Sequence, residues 1–135
     1  MTLLALDVGN ARIGVATSDE TEMLASPFTV IRRRSNVEAF TQIARIVADV
    51  GARTVVVGLP VSFDGNLHEQ ARLVQAFGEK LRHVIGVPVV YADETLSTVR
   101  AEEYLRESGV RPRNIREKID AAAAAVILQD YIDLR

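Results

Sequence analysis

The first 32 residues carry three short apolar segments with strand-like spacing and no stretch of helical periodicity, and this opening restricts everything the rest of the chain can build. The segments fall at about residues 3–6, 13–18 and 28–32. Gly9 can turn the chain between the first two, and Ser26-Pro27 resets it before the third, which predicts an antiparallel meander. Beyond residue 35 the pattern changes: each further strand-like run, at 54–59 and 87–91, is preceded by a helical one.

Ser35-Asn36-Val37-Glu38 has the spacing of a capping box, and Val37, Phe40, Ile43, Ala44, Val47 and Val50 recur at helical intervals until Gly51. A second helix is expected from near Asn66, with Leu73, Phe77, Leu81 and Val84 on its inner face, ending at Gly86-Val87-Pro88. Residues 95–106 predict a third, with Leu96, Val99, Tyr104 and Leu105 turned inward, broken by Gly109 and Pro112. A last helix from near Arg116 places Ile119, Ala122, Ala123, Val126, Ile127, Tyr131 and Leu134 on one stripe. The expected fold is therefore α/β: a mixed five-stranded sheet, three antiparallel strands and then helix-linked parallel ones, flanked by helices.

At 135 residues the chain fits a single domain, 1–135. A formal charge of −2 argues against coating nucleic acid through bulk positive charge, so any phosphate binding needs a local patch. With no cysteine, disulfides, thiolate zinc sites and cysteine nucleophiles are excluded. The longest apolar run, 121–128, is too short to span a bilayer, so a cytoplasmic protein with no membrane partner is expected.

Asp7 stands where the run Leu3-Leu4-Ala5-Leu6 gives out, beside the Gly9 turn. A carboxylate there implies a metal, a cation or a substrate phosphate beside it. Asp93-Glu94 follows the fifth strand and Asp120 borders the apolar stripe of the last helix, so all three acidic positions can converge at one rim of the sheet. Crowded carboxylates repel unless a cation joins them, and with only His68 and His83 as nitrogen ligands, magnesium or manganese suits the set better than zinc. Taken singly, each has a plainer reading: Asp93 as a turn or cap, Glu94 at a helix start, Asp120 as a solvated helix residue. His68 and His83, at a helix start and a helix end, read as structural, and residues 58–67, with Asp64-Gly65, read as a loop that can wall the site.

Arg106, Arg111, Arg113, Arg116 and Lys118 form the strongest local positive segment, which suits phosphate binding and a solvated face about equally. Arg32-Arg33-Arg34 is accounted for by edge protection and solubility. Arg12 is placed to reach a substrate phosphate or to pair with a nearby carboxylate.

Taken together, Leu6-Asp7-Val8-Gly9 with Arg12-Ile13-Gly14-Val15-Ala16, Ala25-Ser26-Pro27, Val57-Gly58-Leu59-Pro60 with Asp64-Gly65, Asp93-Glu94 with Leu96-Ser97-Thr98, and Lys118-Ile119-Asp120-Ala121-Ala122-Ala123 resemble the YqgF family, also called RuvX, of ribonuclease H-like proteins. The resemblance covers almost the whole chain. It implies a ribonuclease H-like sheet whose catalytic and metal-binding residues are Asp7, Glu94 and Asp120, holding one or two Mg2+ or Mn2+ ions. Arg12, Arg113, Arg116 and Lys118 are then the expected nucleic-acid contacts. The implied activity is phosphodiester hydrolysis, at the 5′ end of pre-16S rRNA in ribosome biogenesis or, as the alternative, at Holliday junctions in branched DNA. The partner is nucleic acid, and the chain is expected to act as a monomer or a homodimer. Two departures from the family pattern bear on substrate contacts: Asn10-Ala11 in the hairpin turn, where threonine and a basic residue are common, and Thr95 in place of an arginine. A non-catalytic nucleic-acid-binding module is the reading from another class; a nucleotide hydrolase of the actin-like kind is disfavoured because one short domain offers no second wall to a cleft.

Overall fold

The structure, a computed structural model, describes residues 1–60, 68–94, 97–107, 109 and 115–135, without side-chain placement at 97–99, 104 and 115–117. The antiparallel opening is β1 (Thr2–Val8), β2 (Arg12–Ser18) and β3 (Ala25–Arg32). Then come α1 (Asn36–Val50), β4 (Ala52–Leu59), α2 (Glu69–Ile85), β5 (Val89–Asp93), α3 (Ser97–Glu107) and α4 (Ile115–Leu134). The strands form one sheet in the order β3-β2-β1-β4-β5, with β1 parallel to β4 and β4 parallel to β5. This is the mixed five-stranded sheet that the sequence predicts, and it puts β1 at the centre.

The central position explains the unbroken apolar run of β1, because both faces of the sheet are covered. Leu4, Leu6, Ile13, Val15, Val55 and Val57 pack beneath α1 and α2 against Ile43, Val47, Phe77 and Leu81. Leu3, Ala5, Ala16 and Val56 pack on the other face against Ala124, Ile127 and Leu128 of α4. Each fully buried large side chain contributes about 1.5–3 kcal/mol relative to exposure.

Several sequence expectations need correction. Pro27 lies inside β3 rather than before it, paired with Ala16 at a register irregularity. An edge strand tolerates the missing N–H, which is why a proline fails to mark the boundary. β5 begins at Val89 and reaches Asp93, two residues later at each end than expected, because Pro88 belongs to the connection. Val37, Leu73, Val84 and Leu134 are exposed, whereas Ala39, Ala71 and Val74 are buried. The inner stripes of α1 and α2 are thus rotated toward small residues that let the helices approach the sheet closely. The expected start of α2 at Asn66, and Leu96 and Tyr104 as inward residues of α3, lie outside the described residues and side chains, as does Val99; Leu105 is buried as expected.

α4 has no single stripe. It is sandwiched, with Ala124, Ile127 and Leu128 against the sheet and Ala122 and Ala123 against Ala101 and Leu105 of α3. The alanine run is therefore a spacer on two sides, which brings helix backbone close to both neighbours. Ser35 caps α1 by accepting from the Glu38 N–H at 3.1 Å, and Gly51 ends it with its N–H bonded to Val47 O. Among the described residues, no helix is long and apolar enough to cross a membrane.

Candidate metal and nucleic-acid site

β1 alternates its side chains, so Asp7 follows Leu3 and Ala5 onto the α4 face of the sheet. Its direct partner across β2 is Gly14. A methyl group at Gly14 would overlap the backbone carbonyl of Asp120, so the missing side chain is what lets the start of α4 settle on the sheet beside Asp7. On the other flank, a Cβ at Gly58 of β4 would lie 2.7 Å from Glu94 Oε2 and 2.5 Å from Ile127 Cδ1. Two strand glycines therefore open the space on either side of Asp7, one for a helix backbone and one for a carboxyl group. Both stand in the motifs that carry the family resemblance, but the sequence assigns neither this spacing role. The available signal is a glycine in a strand interior, where it weakens the strand unless another group needs the room.

Glu94 lies just past β5, its backbone N–H donating to Leu59 O at 3.2 Å. Its parity with Val90 and Ala92 directs it to the same face as Asp7. The two carboxyl groups lie close enough to perturb each other, the interaction lowering Asp7 and raising Glu94. Burial carries the Glu94 pKa up to about 9, and that interaction and the negative charges of Asp7 and Asp93 push the same way. Burial also raises Asp7, helped by the charge of Asp120 and partly offset by the interaction with Glu94. The second oxygen of Glu94, Oε2, is buried with no hydrogen-bond partner. A buried, unsatisfied carboxyl oxygen costs on the order of 1–3 kcal/mol, so a ligand here has something to repay.

Asp120 takes a different partner: Arg12 Nε donates to Asp120 Oδ2 at 2.6 Å, with the arginine side chain 46% exposed and the aspartate 22%. Of the two roles open to Arg12, the structure shows the ion pair, and it places the guanidinium at the solvent rim of the carboxylates. The β1–β2 turn that carries it is closed by Gly9 N–H donating to Arg12 O at 2.9 Å. Lys118, two residues before Asp120, is exposed. Arg113 and the side chain of Arg116 lie outside what is described, as do residues 61–67 with Asp64-Gly65. His68 is the cap residue of α2 and His83 lies in its last turn.

As the side chains stand, no three described acidic or histidine residues form a ready cage for a metal ion. Asp7 and Glu94 nonetheless fit a hard divalent ion. Both offer oxygen ligands, each raises the charge burden of the other, and Glu94 Oε2 is buried without a partner. Asp120 adds negative charge to the pair while neutralised on its outer side by Arg12.

A family model described as RuvX, Holliday junction resolvase, matches residues 1–134. A protein of Chloroflexus aggregans named "Putative pre-16S rRNA nuclease" is 48% identical over 134 residues, which span 99% of this chain and 94% of that one. One of the same name from Anaeromyxobacter sp. is 44% identical over 135 residues, covering 100% and 98%. Among solved structures, Thermus thermophilus RuvC in complex with Holliday junction substrate superposes with a TM-score of 0.61 at 16% identity, over 99% of this chain and 96% of that one. The fowlpox virus Holliday junction resolvase gives 0.59 at 11% identity over 100% of both. At those identities the likeness is one of fold.

Proposed function

From the premise that this chain belongs to the RuvX family, we propose that it is a divalent-metal-dependent nuclease whose substrate is the 5′ end of pre-16S rRNA. The observation that carries the reading is the pair of Asp7 and Glu94, two part-buried carboxyls that crowd each other, with Glu94 Oε2 buried and unpartnered, at the sheet rim beside Asp120. Such a pair is unfavourable in an empty rim and favourable around a cation. The names of the relatives support RNA processing, and the family description favours a second reading, cleavage of branched DNA junctions.

Asp7, Glu94 and Asp120 would hold one or two magnesium or manganese ions, which when bound supply an activated water and stabilise charge on the oxygens at phosphorus. The chain's own part is positional. Gly14 and Gly58 fix how closely Asp120 and Glu94 approach Asp7, and α4 and the sheet exclude water from the inner side of the carboxylates. Arg12 holds Asp120 in register and sets a guanidinium at the rim, a planar fork that matches the oxygens of a phosphodiester. Arg113, Arg116 and Lys118 precede Asp120 in the sequence and supply positive charge suited to the phosphates of a strand.

The test is cleavage of labelled pre-16S rRNA carrying its 5′ leader, and of a labelled four-way DNA junction, in magnesium, manganese or chelator. Asp7→Asn, Glu94→Gln and Asp120→Asn are each expected to lose on the order of 100-fold or more in rate, the scale of removing one transition-state contact. Retained cleavage in all three would reject the site. Cutting of the junction but not the RNA would favour the second reading over the first.

A further inference from the structure

We propose that a cleft formed by Arg12, Arg32 and Arg34 is a second phosphate-binding subsite, which grips the backbone of the nucleic-acid strand to one side of the carboxylate rim; this rests on the nuclease reading for its substrate class. The cleft, of about 530 Å³, is lined by Ala11, Arg12, Val30, Arg32, Arg33 and Arg34. Arg12 and Arg32 are direct cross-strand partners in the β2–β3 pairing. Arg12 is paired with Asp120, so the positive charge facing the cleft is that of Arg32 and Arg34, more than the single charge that edge protection needs.

The register sets which way the arginines face. Arg12 has the parity of Gly14 and Ala16, so Arg12 and its partner Arg32 stand on the face that carries Asp7, Asp120 and α4. Arg33 turns to the other face. Its Nη1 donates to Gly9 O at 2.9 Å, its Nε to Asn36 Oδ1 at 3.1 Å, and its guanidinium carbon lies 4.8 Å from the centroid of Phe77. That anchor fixes the backbone from which Arg32 and Arg34 project. Among the described residues, no carboxylate pairs with Arg32 or Arg34, both of which are exposed.

The cleft begins where the carboxylate site ends, since Arg12 borders it while its Nε holds Asp120. From β1 to β3 is two strand spacings, about 10 Å. That separation is too large for one phosphate to fill both places, so the cleft meets a flanking phosphate and not the scissile one. Guanidinium forks suit phosphate oxygens, and the small apolar residues Ala11 and Val30 leave the sugar room to approach.

The test measures binding of an RNA strand and of a DNA strand of the same sequence, each extending well past the cleavage point, as a function of salt and in chelator. Full-length Arg32→Gln/Arg34→Gln is compared with Arg45→Gln/Arg72→Gln, an equal charge change at exposed positions on α1 and α2. The cleft variant is expected to bind about 10-fold more weakly, with a shallower log Kd against log salt slope by roughly 0.7 per lost phosphate contact on a single strand. The loss should be the same for RNA and DNA, while the control keeps the wild-type slope. A wild-type slope in the cleft variant, an equal loss in the control, or a loss confined to one polymer would overturn the subsite. Because cleavage plays no part in this readout, failure of the nuclease assignment would show separately, as retained cleavage by Asp7→Asn.

Discussion

The two ends of the sheet handle acidic side chains in opposite ways. At the end where β1, β4 and β5 finish, Asp7 and Glu94 are pushed toward the protonated form by burial, and Glu94 Oε2 lacks a partner. At the other end, the β2–β3 connection carries Asp19 and Glu22, and both are held at about 2 by hydrogen bonds. Asp19 accepts from the Thr21 hydroxyl and from the Met23 and Leu24 N–H groups. Glu22, in a left-handed backbone conformation at φ 59°, accepts from Arg53 Nε and Nη2 at 2.6 Å and from Arg135 Nη1 at 2.8 Å. α4 runs from one end to the other, about 30 Å at 1.5 Å per residue, with Asp120 near its start and Gln129 bonded to the β2–β3 connection near its end. One end is a finished staple that ties Arg135 and Arg53 to the β2–β3 connection. The other leaves a buried carboxyl oxygen unsatisfied, which is the feature the proposed cation site draws on.

The sharpest way to break this contrast is activity. Asp7→Asn should lower cleavage on the order of 100-fold or more, whereas Glu22→Gln should leave the rate unchanged, both read on the same labelled RNA. Similar losses in the two variants would mean that the ends are not functionally distinct.

Next in size is Gly14→Ala. The added methyl meets backbone on α4, which cannot rotate aside, so a loss of about 3 kcal/mol in denaturant unfolding is expected, together with reduced cleavage as Asp120 is displaced. Gly51→Ala, with nothing within 4 Å of an added Cβ, is strained only by its φ of 68° and should cost about 1 kcal/mol. Equal costs would show that α4 does not depend on the close approach at Gly14.

The role of that glycine also indicates what a sequence can reveal here. Asp7 was legible because an apolar run stops at a charge, and Glu94 because it follows a strand, both of which are local signals. Asp120 was not distinguishable from a solvated helix residue on local grounds, since its placement depends on Gly14 and on alanines packed against two neighbours. Val37, Leu73 and Val84 were misplaced because an apolar residue on a helix does not have to be buried, and the true inner faces use Ala39 and Ala71. The pairing of Arg12 with Arg32 follows from the β2–β3 register, which the strand pattern could not fix once Pro27 was read as a boundary.

Stability without metal sharpens the contrast further. Glu94→Gln removes an ionisable group that folding holds protonated near neutral pH, so the variant in chelator should melt at or above the wild-type temperature. Saturating magnesium or manganese should raise the wild-type melting temperature and leave that of the variant almost unmoved, the wild-type gain being about 2.7 kcal/mol at 100 times Kd. A variant much less stable than wild type in chelator would recast Glu94 as a structural carboxylate.

The smallest effect is expected in the pH dependence, where the two ends should pull in opposite directions. Asp19 and Glu22 have folded pKa values of about 2, below their ordinary 3.8 and 4.5, so between those values the unfolded chain binds more protons. Their contribution is present above about pH 4.5 and is lost as pH falls toward 2. Glu94 has the reverse sign: with a folded value of about 9 against an ordinary 4.5, the metal-free folded chain binds more protons across that window, so its stability falls as pH rises. Glu22→Gln should therefore lower the melting temperature by a few degrees at pH 7. The difference from wild type should shrink in 1 M salt, where the Debye length is about 3 Å, and fade as pH falls from about 4.5 through 2, vanishing only below that, where the carboxyl is protonated in both states. Glu94→Gln in chelator should instead flatten the decline between pH 5 and 9 without altering the acid limb. If one variant changed both limbs, the two ends would be coupled through α4, and the separation of staple from site would fail.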